Sequence, residues 1–454
     1  MPQPDLPLEL HQLIIDFVGE EAILSAAPIS RAEEAVRTTL QSCSFVCKGW
    51  HAHTVRYMFH DLWINLFRTD EDHERYEELL RLLEVNPLIA RSIRRVLLSI
   101  RNNHGVTGEV VGNLCRKITS VEVLYLRILG ALHPPSNLLS ALDGLYPLLA
   151  SPHLHDLSIS APHLPLRLLE IPPNVRSLTL LDVASGGSVG HLFKEHHEGT
   201  LCSATLEKLV VRKGNRVLEI IAPVAQGSPC TCFDSIKYLD ITFYAASPRP
   251  YPQWNTVLAR WRCLETIIIN WHIMGKSFCI SSFEDGVDGI NAVATEYDSS
   301  FFAMCQSVPW SSFQGLRSLK YGISCQDFTH EELSTEDTRT SSLMLAGPSR
   351  LPYLRHLNIT YCNDTTVFGL EELDTALNSI FLHQIDQTIE RRDSFPSLQG
   401  FHVVLECFGE SPKLQEDALV KRLVERLPFV FADGGRRETS GWATSVEVKV
   451  NPPF

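Results

Sequence analysis

Cys43 and Cys47 stand one helical turn apart, with His51 and His53 close behind. Thiolate and imidazole are the ligands zinc takes, so this group could in principle hold a metal ion. Cysteine is also a habitual core residue and the surrounding pattern is helical, so the sequence favours reduced, buried thiols over a metal centre. Cys230 and Cys232 form one Cys-x-Cys, but no second pair sits at finger-like spacing. The stretch "GGSVG" from Gly186 lacks the strand-to-helix context and full spacing of a dinucleotide or phosphate loop. His196 and His197 lie in the polar "KEHHEGT", and the pairs Glu331-Glu332 and Glu371-Glu372 sit in charged runs without an apolar pocket to shift their pKa. No metal, no cofactor and no catalysis are expected.

The elements that would carry any site are bounded by composition. The 454 residues are 44% hydrophobic and 20% charged, which is ordinary globular composition. The formal charge of −13 repels polyphosphate and argues against nucleic acid. The cationic clusters, Arg91 with Arg94 and Arg95, Arg391 with Arg392, and Arg436 with Arg437, are too small to make a basic stripe. No apolar run approaches the roughly 18 residues of a membrane span, and "MPQPDLPLEL" has no cationic region ahead of an apolar one. A cytoplasmic or nuclear protein is expected, with its cysteines reduced.

Leu6, Leu10, Leu13, Ile14, Phe17 and Val18 follow the three-and-four spacing of one helix face, with Pro7 suited to the first turn. Residues 19–38 read as a loop or short extra helix. "TLQSCSFVC" and "KGWHAHTVRYMFHDLW" predict two more short helices with a break near Gly49. Together these make a three-helix unit over residues 1–66.

The ordered set Leu6-Pro7-Leu8-Glu9-Leu10, Ile14, Val18, Val46-Cys47-Lys48, Trp50 and Leu62-Trp63 resembles the F-box, the adaptor-binding module of SCF-type ubiquitin ligases. The resemblance covers about the first 65 residues and departs from the family in its long connection, an insertion within 19–38. It implies that Leu6, Pro7, Glu9, Leu10, Ile14 and Val18, with Val46, Cys47, Lys48 and Trp50, engage a Skp adaptor and through it a cullin.

Residues 67–454 repeat a short phrase. "SIRRVLLSI", "SVEVLYLRI", "HLHDLSIS", "NVRSLTLL", "TLEKLVVR", "SIKYLDITF", "CLETIIIN", "GLRSLKYGI", "YLRHLNIT" and "SLQGFHVVL" each place an apolar residue, two polar ones, then an alternating strand. Helical patterns fill the gaps, at 70–85, 106–118, 136–150, 253–261, 370–392 and 414–427. The phrase is the strand turn of a leucine-rich repeat. The expected fold is α/β: a three-helix unit followed by an irregular solenoid of about nine or ten repeats, a horseshoe with a parallel sheet on its inner face. Long insertions are expected at 270–315 and 323–350. A doubly wound α/β domain would bury both faces of its strands, whereas here alternate strand positions are polar.

The polar strand positions are the candidate target-binding face: Tyr125, Arg127, Lys208, Arg212, Tyr238, Asp240, His356 and Asn358, together with Asn270, Lys320 and His402. Aromatic, charged and amide groups in that mixture suit a protein or peptide. The sequence as a whole is similar to the large fungal sets of F-box proteins with degenerate repeats. The resemblance implies a substrate receptor that binds a target protein; the alternatives are a scaffold using the repeats alone, with the N-terminal helices as a cap, and an enzyme with its site in the insertions at 270–315 or 323–350.

Overall fold

The structure, a computed structural model, describes residues 10, 12–16, 31–66, 70–101, 108–129, 143–161, 174–181, 206–212, 235–244, 261–274, 313–326, 351–367, 395–409, 421, 425 and 443–451. The chain divides into two compact units, Met1–Thr179 with Ser185–Ser188, and Leu180–Ala184 with Val189–Phe454. The division falls inside a strand of the repeat region.

The first unit opens with helix α1 (12–16), α2 (Arg31–Ser44) and α3 (Lys48–Met58). The described part of the 19–38 connection, from Arg31 onward, is the first part of α2. The break between α2 and α3 lies at 45–47 and not at Gly49, because Cys47 takes the extended N-cap conformation and its sulfur accepts the Trp50 N–H. Helix α3 ends at Met58. Leu62 and Trp63, expected at the end of a helix, instead belong to strand β1 (Asp61–Leu66). The alternation of exposed Trp63 with buried Ile64 has the period of a strand, and the backbone ladder to the next strand holds it.

Helices α4 (Asp70–Val85) and α5 (Pro87–Ser92) follow, then β2 (Arg95–Arg101), α6 (Gly108–Lys117), β3 (Val123–Leu129), α7 (Tyr146–Leu149), β4 (Asp156–Ser160) and β5 (Ser177–Leu181). The second unit carries β6 (Lys208–Arg212), β7 (Tyr238–Tyr244), β8 (Thr266–Met274), β9 (Ser318–Gln326), β10 (His356–Val367), β11 (Gly400–Gly409) and β12 (Ala443–Asn451). All ten predicted strands form, and β1 and β12 are additions. Within each unit the sheet follows chain order, and every described pairing is parallel. A doubly wound sheet would reverse its order at a switch point. Of the expected helices beyond α7, Lys421 and Glu425 are helical, Trp261 at the end of the 253–261 segment is not, and the rest of those segments lie outside the described residues, as do most of 270–315 and 323–350.

Why each turn repeats is visible in the apolar positions. Leu124 and Leu157 are paired in register in the first unit, and Leu209, Leu239, Ile267, Leu319, Leu357 and Phe401 form one register row in the second, all buried. Three residues before each ladder position stands another buried apolar side chain: Val121, Leu154, Leu206, Ile236, Leu264, Leu316, Leu354 and Leu398. That spacing brings the chain into the strand with both side chains on the core side. The backbone makes the same turn each time. In the first unit the carbonyls of His60, Arg94, Glu122 and His155 each accept two successive N–H groups of the next turn, and in the second those of Glu207, Lys237, Glu265, Arg317 and Arg355 do the same. These backbone bonds do not depend on side-chain type, which lets the sequence vary there, and side chains add to them at single turns, as where Ser151 Oγ donates to Thr119 O and Ser235 Oγ to Leu206 O.

Candidate functional site

The first candidate is the group of N-terminal helices. In α1, Ile15 is buried at 1% exposure and Asp16 is tied to α3: His53 Nε2 and Tyr57 OH each stand 2.6 Å from Asp16 Oδ1. The hydrogen bond from Tyr57, reinforced by His53, holds the Asp16 carboxyl below its ordinary range against the opposing effect of burial. With Ile15 and Asp16 facing the protein, Leu10, Leu13 and Ile14 are left exposed. Leu40 of α2 and Val55 of α3 are buried, while the turn between them presents Phe45 and Val46 at 79% and 63% exposure. Cys47 and Lys48 are also exposed and Trp50 is half-buried. Cys47 therefore does not pack in a core; it caps a helix. Among the described cysteines Cys115 is the buried one, and burial pushes its thiol up to about 12, beyond reach of thiolate chemistry at neutral pH. Leu6, Pro7, Glu9 and Val18 lie outside the described residues.

The second candidate is the polar face of the sheet. Tyr125 and Arg127 are exposed on β3 in the first unit, where Tyr125 shares a register row with Leu97 and Trp63. Trp63, 66% exposed, is a surface aromatic that the helical reading of its segment hides. In the second unit Lys208 and Tyr238 are register partners, and Lys208 Nζ lies 5.2 Å from the Tyr238 ring centroid. Two residues further along, Asp240 is only 6% exposed, contrary to its expected solvent-facing position. It is covered because Arg212 Nη2 stands 3.6 Å from its Oδ2 and the Asn270 amide donates to its Oδ1 at 3.2 Å. Burial raises the Asp240 pKa, and Arg212, Lys208 and Lys320 pull it back. Gly322 completes the arrangement: a Cβ there would run into the Asn270 carboxamide, so only glycine leaves that amide room to lie across the sheet.

His356 is exposed and Asn358 half-buried on β10, in the register rows of Ser318 and Lys320. His402 lies 3.6 Å from Glu447 on β12. The structure thus gathers Lys208, Arg212, Tyr238, Asp240 and Asn270 into direct contacts, and sets His356 and Asn358 on the same face. Asp16 and Gly322 are the residues sequence reasoning missed. Asp16 carried no signal apart from the helix period, and Gly322 could have been noted as a glycine inside a strand pattern.

Among the described residues no group of three or more His, Cys, Asp or Glu side chains is placed to hold a metal ion, and no helix is long and apolar enough to cross a membrane. Cys230 and Cys232 lie outside the described residues. So do residues 186–190, which also carry the Gly-x-Ser-x-Gly spacing of a nucleophile elbow; the spacing alone, with no strand-to-helix pattern around it, is a weak signal. The chain matches no protein-family model and no curated protein.

Proposed function

We propose that this chain is the substrate-recognition subunit of an SCF-type ubiquitin ligase. Its F-box-like helices would hold the Skp adaptor, its leucine-rich-repeat face a target protein, and other subunits would transfer ubiquitin. The observation that carries the reading is that Leu10, Leu13 and Ile14 near the N-terminus and Phe45 and Val46 in the turn between α2 and α3 are exposed, while Ile15, Leu40 and Val55 of the same helices are buried. Exposed large apolar side chains gathered in short stretches, as at 10–14 and 45–46, usually mark a partner site. A helix serving only as a cap for the repeats would bury those residues, so the same observation weighs against the scaffold alternative.

The irregular repeats and their polar face support the target-binding half of the proposal. Coexpression of the full chain with a Skp adaptor tests the adaptor half: the two should copurify as a complex of fixed stoichiometry. Copurification of the cullin through the adaptor should follow. An adaptor that never copurifies with soluble, folded chain would remove the ligase reading and leave the scaffold.

A further inference from the structure

We propose that the polar face of β6–β9 is a site for an acidic peptide segment, held by Lys208, Arg212 and Lys320. The inference rests on the receptor reading, in which this face meets the target, and adds the chemistry of what it meets.

The chain carries −13 overall, yet the side chains that alternate onto this face are Lys208, Val210 and Arg212 on β6, Tyr238, Asp240 and Thr242 on β7, Thr266, Ile268 and Asn270 on β8, and Ser318, Lys320 and Gly322 on β9. They bring three cations against one carboxylate. Asp240 is itself buried and already bound by Arg212 and Asn270, so it is the anchor of the cluster and not a group offered to solvent. Lys320 shares a register row with Asp240 through Ile268, and Lys208 and Arg212 flank Val210, the partner of Asp240 on β6, so the three cations surround one carboxylate. Lys208 and Arg212 are exposed and Lys320 is half-buried, around the buried Val210, Asp240 and Thr242, and the single Asp240 carboxylate leaves the three cations with an excess of positive charge. The ledge beside the face is balanced, with Glu207 and Glu265 set among Lys237 and Arg317.

Geometry selects a peptide over a small anion. Three strand spacings separate β6 from β9, about 14 Å across the sheet, more than one inorganic ion can bridge. An extended segment of about four residues covers that span. Its carboxylates would meet Lys208 at one end and Lys320 at the other, with Arg212 available to fork onto one of them. Tyr238, whose ring lies under the Lys208 ammonium, and Asn270 add an apolar surface and an amide to the same floor. A nucleic acid is disfavoured because its long polyanion would also meet the field of a chain at −13.

The test is fluorescence anisotropy of the purified full chain with a labelled oligo-glutamate peptide and its oligo-glutamine counterpart, at low and high salt. The acidic peptide should bind and the neutral one should not, with affinity falling as salt rises. Lys320→Glu and Lys208→Glu, made separately so that one misfolded variant does not decide the matter, should each weaken binding by at least about tenfold. Lys117→Glu, on α6 in the first unit, makes the same charge change and should leave binding intact. Equal binding of the glutamine peptide, indifference to the two face variants, or equal loss with Lys117→Glu would overturn the site, as would an oligonucleotide of equal charge binding as tightly. Adaptor copurification is measured on the same preparations. Its survival without peptide binding sinks only this inference, and its loss with peptide binding intact sinks only the receptor proposal.

Discussion

Asp16 shows how one side chain can orient a surface. Its two hydrogen bonds to α3 fix the rotation of α1, which sends Ile15 inward and Leu10, Leu13 and Ile14 outward. Because the folded pKa is depressed, the ionised form stabilises the native state above the ordinary 3.8, and that contribution is lost as pH falls through the folded value. Thermal unfolding of wild type and Asp16→Asn across acidic pH should therefore show a gap that is open at neutral pH and closes below 3.8. Asp240 has the opposite sign. Its raised pKa means that its protonated form is favoured in the fold, so its contribution is complete below 3.8 and lost as pH rises through the folded value. Wild type should lose stability relative to Asp240→Asn over that window. Gly322→Ala should push the Asn270 amide off Asp240 and cost about 1–2 kcal/mol in chemical denaturation. In an Asn270→Ala background most of that cost should vanish, which a double-mutant cycle reads directly. Sequence could name Asp240, Asn270 and Lys208 as strand residues on one face. It could not foresee that Asp240 is buried, because that depends on Arg212 and Asn270 arriving from the strands on either side.

At the scale of elements, the fold was legible wherever a buried apolar residue precedes the ladder leucine by three. That phrase located ten strands, among them those built on Leu124, Leu239 and Leu357. Strand β12 escaped because "ATSVEVKVN" has Gly441 where the lead-in apolar residue should stand, leaving only its alternating valines. Strand β1 is hidden in the sequence because Leu62-Trp63 directly continues the helical pattern of α3. Helix α4 was predicted to the residue and α6 to within two at its start, since both show a full helical period. Helix α5, six residues long, is too short for a period to show, and only Pro87 at its first turn announces it. The ladder makes a stability prediction: Leu239→Ala or Leu319→Ala, each fully buried between register partners, should cost about 2–5 kcal/mol. Tyr353→Ala, exposed in the turn before β10, should cost little by the same measurement.

Taken whole, the chain carries exposed apolar side chains on its N-terminal helices and a polar, locally cationic sheet face in the second unit. The division of the chain at Thr179 was not legible in the sequence, because the same strand phrase runs on both sides of it. The F-box resemblance was carried by ordered residue types, several of which lie outside the described residues, so the exposed Leu10 and Ile14 bear most of the weight. The most direct test is therefore the double variant Leu10→Asp with Ile14→Asp, coexpressed with a Skp adaptor and captured through a tag on the full chain. Both side chains are exposed, so the variant should keep the wild-type unfolding temperature while adaptor capture disappears, since two charges buried in an apolar groove cost several kcal/mol. Adaptor capture undiminished by the two aspartates would contradict the account, and so would a double variant whose repeats unfold.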